Sequence, residues 1–250
     1  MSRELLLLLP PSEGKADGGR APRPGASPGP FDAELADARA SVRRALAGGL
    51  RRVSVAKAEK LLGVRGDNLV RARAATDAYV RGDAPVLPAW QRYTGVVWDH
   101  AGPWRSAEAK RVLVPSAVYG LTTAADPIAD YRLKLSVVLP GVGNLARFWK
   151  PTVTAALVAH ARRRTVVDLL PAEHAAAIDW SLLEAVVPVV HVRFRNAAGD
   201  RAVGHDAKAV KGELARCLLG EGLDAVAGFR WQDWHARRAD DGHVDVLAPG

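Results

Sequence analysis

The apolar positions of this chain fall into two rhythms, unbroken short runs and helical repeats, and their alternation predicts the fold. The chain opens with the run ELLLLLP, residues Glu4 to Pro10, five leucines ended by proline; a run so short predicts a strand buried on both faces. The Gly/Pro stretch Ala16 to Pro30 has no period and reads as a mobile loop. From Asp32, a suitable N-cap, apolar residues recur at helical spacing until Gly48-Gly49 stops them. Two short helices joined by GVRGDN follow, with a further helical stretch behind them, over about residues 54–82. PAWQRYTGVVWDHA then turns from loop into helix and carries Trp90, Tyr93 and Trp98.

The second half holds more strands. RVLVPS is a strand running into a turn at Tyr119-Gly120. In IADYRLKLSVVLPGVG, Tyr131, Leu133 and Leu135 alternate with Arg132 and Lys134, the pattern of a half-buried strand. NLARFWKPTVTAALVAHARRR reads as an amphipathic helix with Pro151 in an early turn, and TVVDLLP as another buried strand. VVPVVHVRFRNAAGDRAVGH predicts a hairpin turning over Ala197 to Asp200, followed by a helix from about Asp206. A closing hairpin turns at Asp241-Gly242. Strands and helices alternate without a regular βαβ repeat, so the expected class is mixed α/β (α+β) with a central mixed sheet. No internal repeat or linker divides residues 1–250, which are expected to form a single domain.

Composition narrows the setting. One cysteine, Cys217, excludes a disulfide framework and a cysteine zinc cage; it reads as a core residue. The five-leucine start is too short for a signal-peptide core, and no run approaches the ~20 apolar residues of a membrane span. A cytoplasmic protein with no membrane partner is therefore expected. The net charge is +8, and from Arg39 to Arg81 eleven Lys/Arg face three acids, Glu59, Asp67 and Asp77, an excess equal to that of the whole chain. Concentrated positive charge points to a polyanionic partner, nucleic acid first.

Three constellations carry candidate chemistry. Lys208 and Lys211 share a face near a helix start, where free N–H groups and two ammonium groups suit a phosphate. Tyr119, Asp126, Tyr131 and Arg132, with Asp168, Glu173 and His174 after a buried strand, are polar groups at strand ends. The turn Gly63-Val64-Arg65-Gly66, one residue longer than that of a helix-hairpin-helix, is flanked by Lys57, Lys60, Arg65, Arg71 and Arg73, a surface suited to tracking a DNA backbone. Ser12-Glu13-Gly14-Lys15 is not a phosphate-binding P-loop, because Leu9 replaces its first glycine and Ala16 its hydroxyl. Seven scattered histidines offer neither HExxH nor an i,i+4 pair, so neither metal nor cofactor is expected.

In order, LLLLPPSEGK, RYTGVVW, LVPSAVYGLTTAADPIADYRLKL, NLARFWKPTVTAAL, VVDLLPAEH and HDAKAVKGELAR resemble the YaaA peroxide-stress family nearly end to end. The spacing of Tyr119-Gly120, Asp126 and Tyr131-Arg132 carries most of that resemblance, with Phe148-Trp149 and the pattern Lys208, Lys211, Gly212, Arg216. The resemblance implies an α/β domain with a helix-hairpin-helix-like element and a basic cleft. It also implies DNA binding and a cytosolic role against hydrogen peroxide that limits iron-linked damage; it implies no reaction. The chain departs from the family at Asp168, where Asn is usual, at Ala124-Ala125 in place of Arg-Pro, and at Ala209 and Lys211 in place of Lys and Arg. Two functions follow as expectations. One is a DNA-binding stress protein. The other is an enzyme acting on a phosphate-bearing nucleotide or nucleic acid, with a cleft built from Ser12, Lys15, Tyr131, Arg132, Glu173, Lys208 and Lys211.

Overall fold

A computed structural model describes residues 3–22, 29–51, 53–196, 198 and 204–249. Eight strands form its main sheet: β1 (Leu5–Leu8), β2 (Val112–Ser116), β3 (Gly120–Thr123), β4 (Thr165–Asp168), β5 (Val189–Arg195), β6 (Arg230–Trp231), β7 (Trp234–Arg238) and β8 (Val244–Leu247). Their order is β6-β7-β8-β5-β4-β1-β2-β3. The leucine run becomes β1, buried at every position, with β2 and β4 both parallel to it. β5 and β8 extend the parallel set, while β3 at one edge pairs antiparallel to β2, and at the other edge β7 pairs antiparallel to β8 and β6 to β7. This is a mixed α/β sheet whose parallel strands all end on one side, the side on which open α/β sheets hold ligands.

The helices are α1 (Asp32–Leu50), α2 (Val55–Leu62), α3 (Asp67–Arg81), α4 (Val96–Ala101), α5 (Leu145–His160) and α6 (His205–Glu221), besides shorter turns. Ser54 and Asn144 cap α2 and α5 by accepting the N–H of Lys57 and Arg147. Pro151 lies in the second turn of α5, where its missing N–H removes one rung of the ladder. Gly212 on α6 allows close packing on α4, since a Cβ there would lie 2.5 Å from the Val97 carbonyl oxygen. Trp149 on α5 is fully buried, its indole N–H donating to the Ala117 carbonyl at 2.9 Å, so it is a packing residue.

Three expectations change. Tyr131 to Leu135 is not a strand: the short strand Pro127–Ala129, paired with Val86–Pro88, ends before it. The alternation is nonetheless real, with Tyr131, Leu133 and Leu135 buried and Arg132 and Lys134 half-buried, because the extended chain is tied by the Arg132 N–H to Thr76 Oγ1 rather than by a ladder. β5 forms no hairpin with a following strand, because β4 and β8 already pair with both its edges; the turn expected over residues 197–200 falls largely outside the described residues. The stretch after Lys15 is pinned rather than loose. Fully buried Arg92 donates to the carbonyls of Ala16, Gly18 (2.9 Å), Pro85 (2.8 Å) and Ile128 (3.3 Å), and Arg20 bridges Val86. Residues 23–28 of that stretch lie outside the described residues.

Candidate functional site

The loop Pro10 to Lys15 leaves the C-terminal end of β1 and is fixed by the RYTGVVW segment. Trp98 Nε1 donates to the Pro10 carbonyl at 3.1 Å, the Ser12 hydroxyl to the Thr94 carbonyl, and the Thr94 N–H to the Gly14 carbonyl at 3.1 Å. Lys15 and Tyr93 close the loop with a β-bridge. Ser12 is thereby a pin, its hydroxyl engaged by the backbone.

Lys15 is buried beneath this loop. Its Nζ donates to the Ser12 carbonyl at 3.0 Å and lies 4.2 Å from the centroid of the Tyr131 ring. Tyr131 is itself held by the hydroxyls of Tyr93 (3.0 Å) and Ser116 (2.9 Å). Burial, reinforced by the neighbouring Arg132 guanidinium, lowers the Lys15 ammonium from its ordinary range to about 7, against the opposing pull of Asp130 and Glu13. Arg132 is locked to Asp130 at 2.6 Å, and Lys134 to Glu13 at 2.5 Å.

Ser12, Lys15, Tyr131, Arg132 and Glu173 all line one cavity of about 270 Å³, with Lys134, His174 and the turn residues Gly63 and Val64. A second cavity, of about 950 Å³, adjoins it: Pro11, Ser12, Glu13 and His174 line both, and Lys208 and Lys211 lie on the far wall with Arg193 and Arg195 of β5. Four distant segments thus meet at the carboxyl ends of β1, β4 and β5. Lys211 donates to the Leu169 carbonyl at 2.6 Å and rests 4.9 Å from the Phe194 ring centroid. Glu173 accepts from the Ser136 hydroxyl at 2.9 Å. The His174 Nδ1 is buried without a hydrogen-bond partner among the described residues, and burial lowers its pKa.

Tyr119, Asp126 and Arg216 line neither cavity. The Tyr119 hydroxyl accepts the Ala129 N–H at 2.9 Å, behind the Tyr131 ring. Asp126 closes a turn by accepting from the Thr123 N–H and hydroxyl at 2.8 and 2.6 Å. Arg216 is on an exposed face of α6, paired with Glu213. Asp168 is tied to His191 Nδ1 at 2.9 Å, and Glu184 takes the other ring nitrogen at 2.9 Å; the two carboxylates, Asp168 foremost, raise the imidazole pKa. Arg193 and Arg195 of β5 escaped the sequence reading, and Lys134 and Glu13 entered it only as an alternating position and a loop residue, not as members of the site.

A family model described as peroxide stress protein YaaA matches residues 5–239. The chain belongs to that family. YaaA membership supports a role associated with peroxide stress. Among its relatives, a UPF0246 protein of Streptomyces coelicolor is 34% identical over 227 residues, covering 87% of this chain and 84% of the relative. A Corynebacterium efficiens UPF0246 protein is 33% identical, covering 86% and 84%. One from Bacteroides thetaiotaomicron is 30% identical, covering 72% and 76%. Among the described residues of this YaaA-family chain, no helix is long and apolar enough to cross a membrane.

The basic stretch is more internally engaged than its composition implies. Arg39 is buried, donating to the carbonyls of Tyr119 and Leu121 and pairing with Asp32. Arg71 pairs with Asp17 at 2.5 Å, and Arg73 donates to the Leu50 carbonyl at 2.8 Å. Arg52 lies outside the described residues. Lys57, Lys60 and Arg65 are exposed on α2 and the turn after it. In that turn the Gly66 N–H is already taken by the Glu59 carboxylate at 3.1 Å, so a phosphate there would meet an occupied donor and a negative charge.

Proposed function

We propose that this protein binds DNA, laying the phosphate backbone along the groove formed by the two cavities and α2, and that in peroxide stress it shields the bound DNA from iron-driven damage. The supporting observation is convergence: Lys15, Arg132 and Lys134 face one cavity and Lys208 and Lys211 the next, with Lys57, Lys60 and Arg65 exposed on α2 and its turn, whose Gly63 and Val64 line the first cavity. Neutralising phosphates releases counterions, so affinity falls with salt at about −0.9 per phosphate contacted on a log–log scale. Fluorescence anisotropy with a labelled duplex between 50 and 200 mM salt tests this. The triple change K57E/K60E/R65E is expected to weaken binding at least tenfold for any sequence, and a salt-independent signal, or none at low salt, sinks the reading. Protection is read separately, as fewer strand breaks when ferrous iron and peroxide act on protein-bound DNA.

A second reading, an enzyme acting on a phosphate-bearing substrate, is favoured by one feature, the buried amine of Lys15 beside Tyr131 and Arg132. Stabilisation by a nucleotide or sugar phosphate in thermal unfolding would support it, and no shift at millimolar ligand would count against it.

A further inference from the structure

Lys15 is buried, and its Nζ donates to the Ser12 carbonyl at 3.0 Å. Its Nζ forms no ion pair among the described residues, sits over the Tyr131 ring, and faces a cavity that Arg132 and Lys134 also line. Both of those cations are paired, with Asp130 and Glu13, so a phosphate entering the cavity takes over those pairings. The cavity, about 270 Å³, is at the small end of the ~300–1,000 Å³ typical of ligand sites, a volume suited to one sugar and its phosphate. His174, whose Nδ1 is buried without a hydrogen-bond partner among the described residues, lines the same cavity.

We propose that Lys15 forms an imine with the open-chain aldehyde of a phosphorylated sugar, whose phosphate Arg132 and Lys134 receive. A desolvated lysine beside a second cation is the arrangement that leaves an amine unprotonated and nucleophilic near neutral pH. The Lys15 nitrogen attacks the carbonyl carbon and a C=N bond forms. The carbonyl oxygen leaves as water, carrying the two protons that the neutral amine gives up. Nothing is oxidised or reduced. Two sources share this chemistry: a free sugar phosphate, and the ring-opened sugar of an abasic site in DNA. The second source rests on the DNA-binding reading above.

Borohydride reduces an imine to a stable secondary amine, so the full-length chain is incubated with borohydride and either 2-deoxyribose 5-phosphate or a duplex carrying one abasic site. Intact-mass measurement and peptide mapping then locate the adduct, while anisotropy with an intact duplex is run in parallel. An adduct mapped to Lys15, reduced at least tenfold in Lys15→Arg, supports the inference. Trapping by the abasic duplex assigns the DNA source. Trapping by the free sugar phosphate alone, with no binding of intact duplex, keeps the imine and removes the DNA reading. Binding of intact duplex with no Lys15 adduct from either probe overturns the imine and leaves DNA binding standing. Adducts mapped to exposed lysines, or undiminished in Lys15→Arg, also overturn it. Mapping on the unsubstituted chain decides the question even if Lys15→Arg does not fold.

Discussion

Replacing Arg92 by Leu is expected to loosen the loop that carries Lys15 before it unfolds the sheet. The guanidinium, 1% exposed, bonds four carbonyls: Ala16, Gly18, Pro85 and Ile128. Hydrogen bonds from a charged group are worth ~1.5–3 kcal/mol each, but they offset the cost of burying that charge. In the variant the carbonyls of Ala16 and Gly18, near the surface, can regain water; Ile128 is fully buried and cannot. Pro85 is exposed as well, so the loss comes mainly from Ile128 and amounts to about 1–3 kcal/mol. Urea unfolding should show a lower midpoint at unchanged slope. Amide exchange should quicken at Ala16 and Arg20, whose N–H groups bond the carbonyls of Arg92 (2.8 Å) and Val86 (3.0 Å). A stability change under ~0.5 kcal/mol, with both amides still protected, would refute the reasoning and leave the Trp98 and Ser12 pins as the real anchors.

Gly120→Ala should cost about 2–4 kcal/mol in the same unfolding assay, because the site has φ +72° and a Cβ would lie 2.6 Å from the Trp149 ring. His191 is held above its ordinary pKa chiefly by Asp168, so its stabilising charge is complete below the unfolded value of ~6.5 and is lost as pH rises through the higher folded value. Asp168→Asn should lower the His191 pKa in an NMR titration and flatten that loss. Lys15 has the opposite sense: with a folded pKa of about 7 the unfolded chain binds more protons up to 10.5, so stability from this group rises across that window. Lys15→Met should then gain on the parent in urea midpoint at pH 7 and surrender the gain by pH 10. Glu59→Gln removes a negative charge from the turn amide of Gly66 and should tighten duplex binding about two- to threefold in anisotropy, a few tenths of a kcal/mol of relieved repulsion.

The sheet was legible wherever burial was complete. ELLLLLP and TVVDLLP carry no polar alternation because parallel neighbours flank both, and the structure pairs them directly as β1 and β4. Period-two alternation misled at Tyr131 to Leu135. It reports which side chains are covered and says nothing of whether the backbone has a ladder partner; here side-chain burial by α3 and the Tyr119 ring suffices without one. The hairpin after β5 failed for a related reason. A strand's partners are a long-range property, and β8, some fifty residues downstream, occupies the edge that a local turn would have filled.

The site divides along the same physical line. Lys15, Arg132 and Glu173, like Lys208 and Lys211, could be named from the sequence because each stands where a strand or helix ends. Tyr119 and Asp126 stand at such ends too, yet the turn there needs their oxygens for the backbone N–H groups of Ala129 and Thr123. Position selects candidates, and unsatisfied backbone decides among them. Charge counting erred by the same omission: Arg39, in the tally from Arg39 to Arg81, is a buried donor to the carbonyls of Tyr119 and Leu121, as Arg92 beyond it is to those of Gly18 and Pro85. Lys15 differs from Arg92 in how lightly it is tied: its Nζ, in no ion pair among the described residues, donates to the Ser12 carbonyl, sits over the Tyr131 ring and lines a cavity. A buried amine held by one carbonyl and an aromatic ring, on the wall of a sugar-sized cavity, is the physical ground for assigning it chemistry.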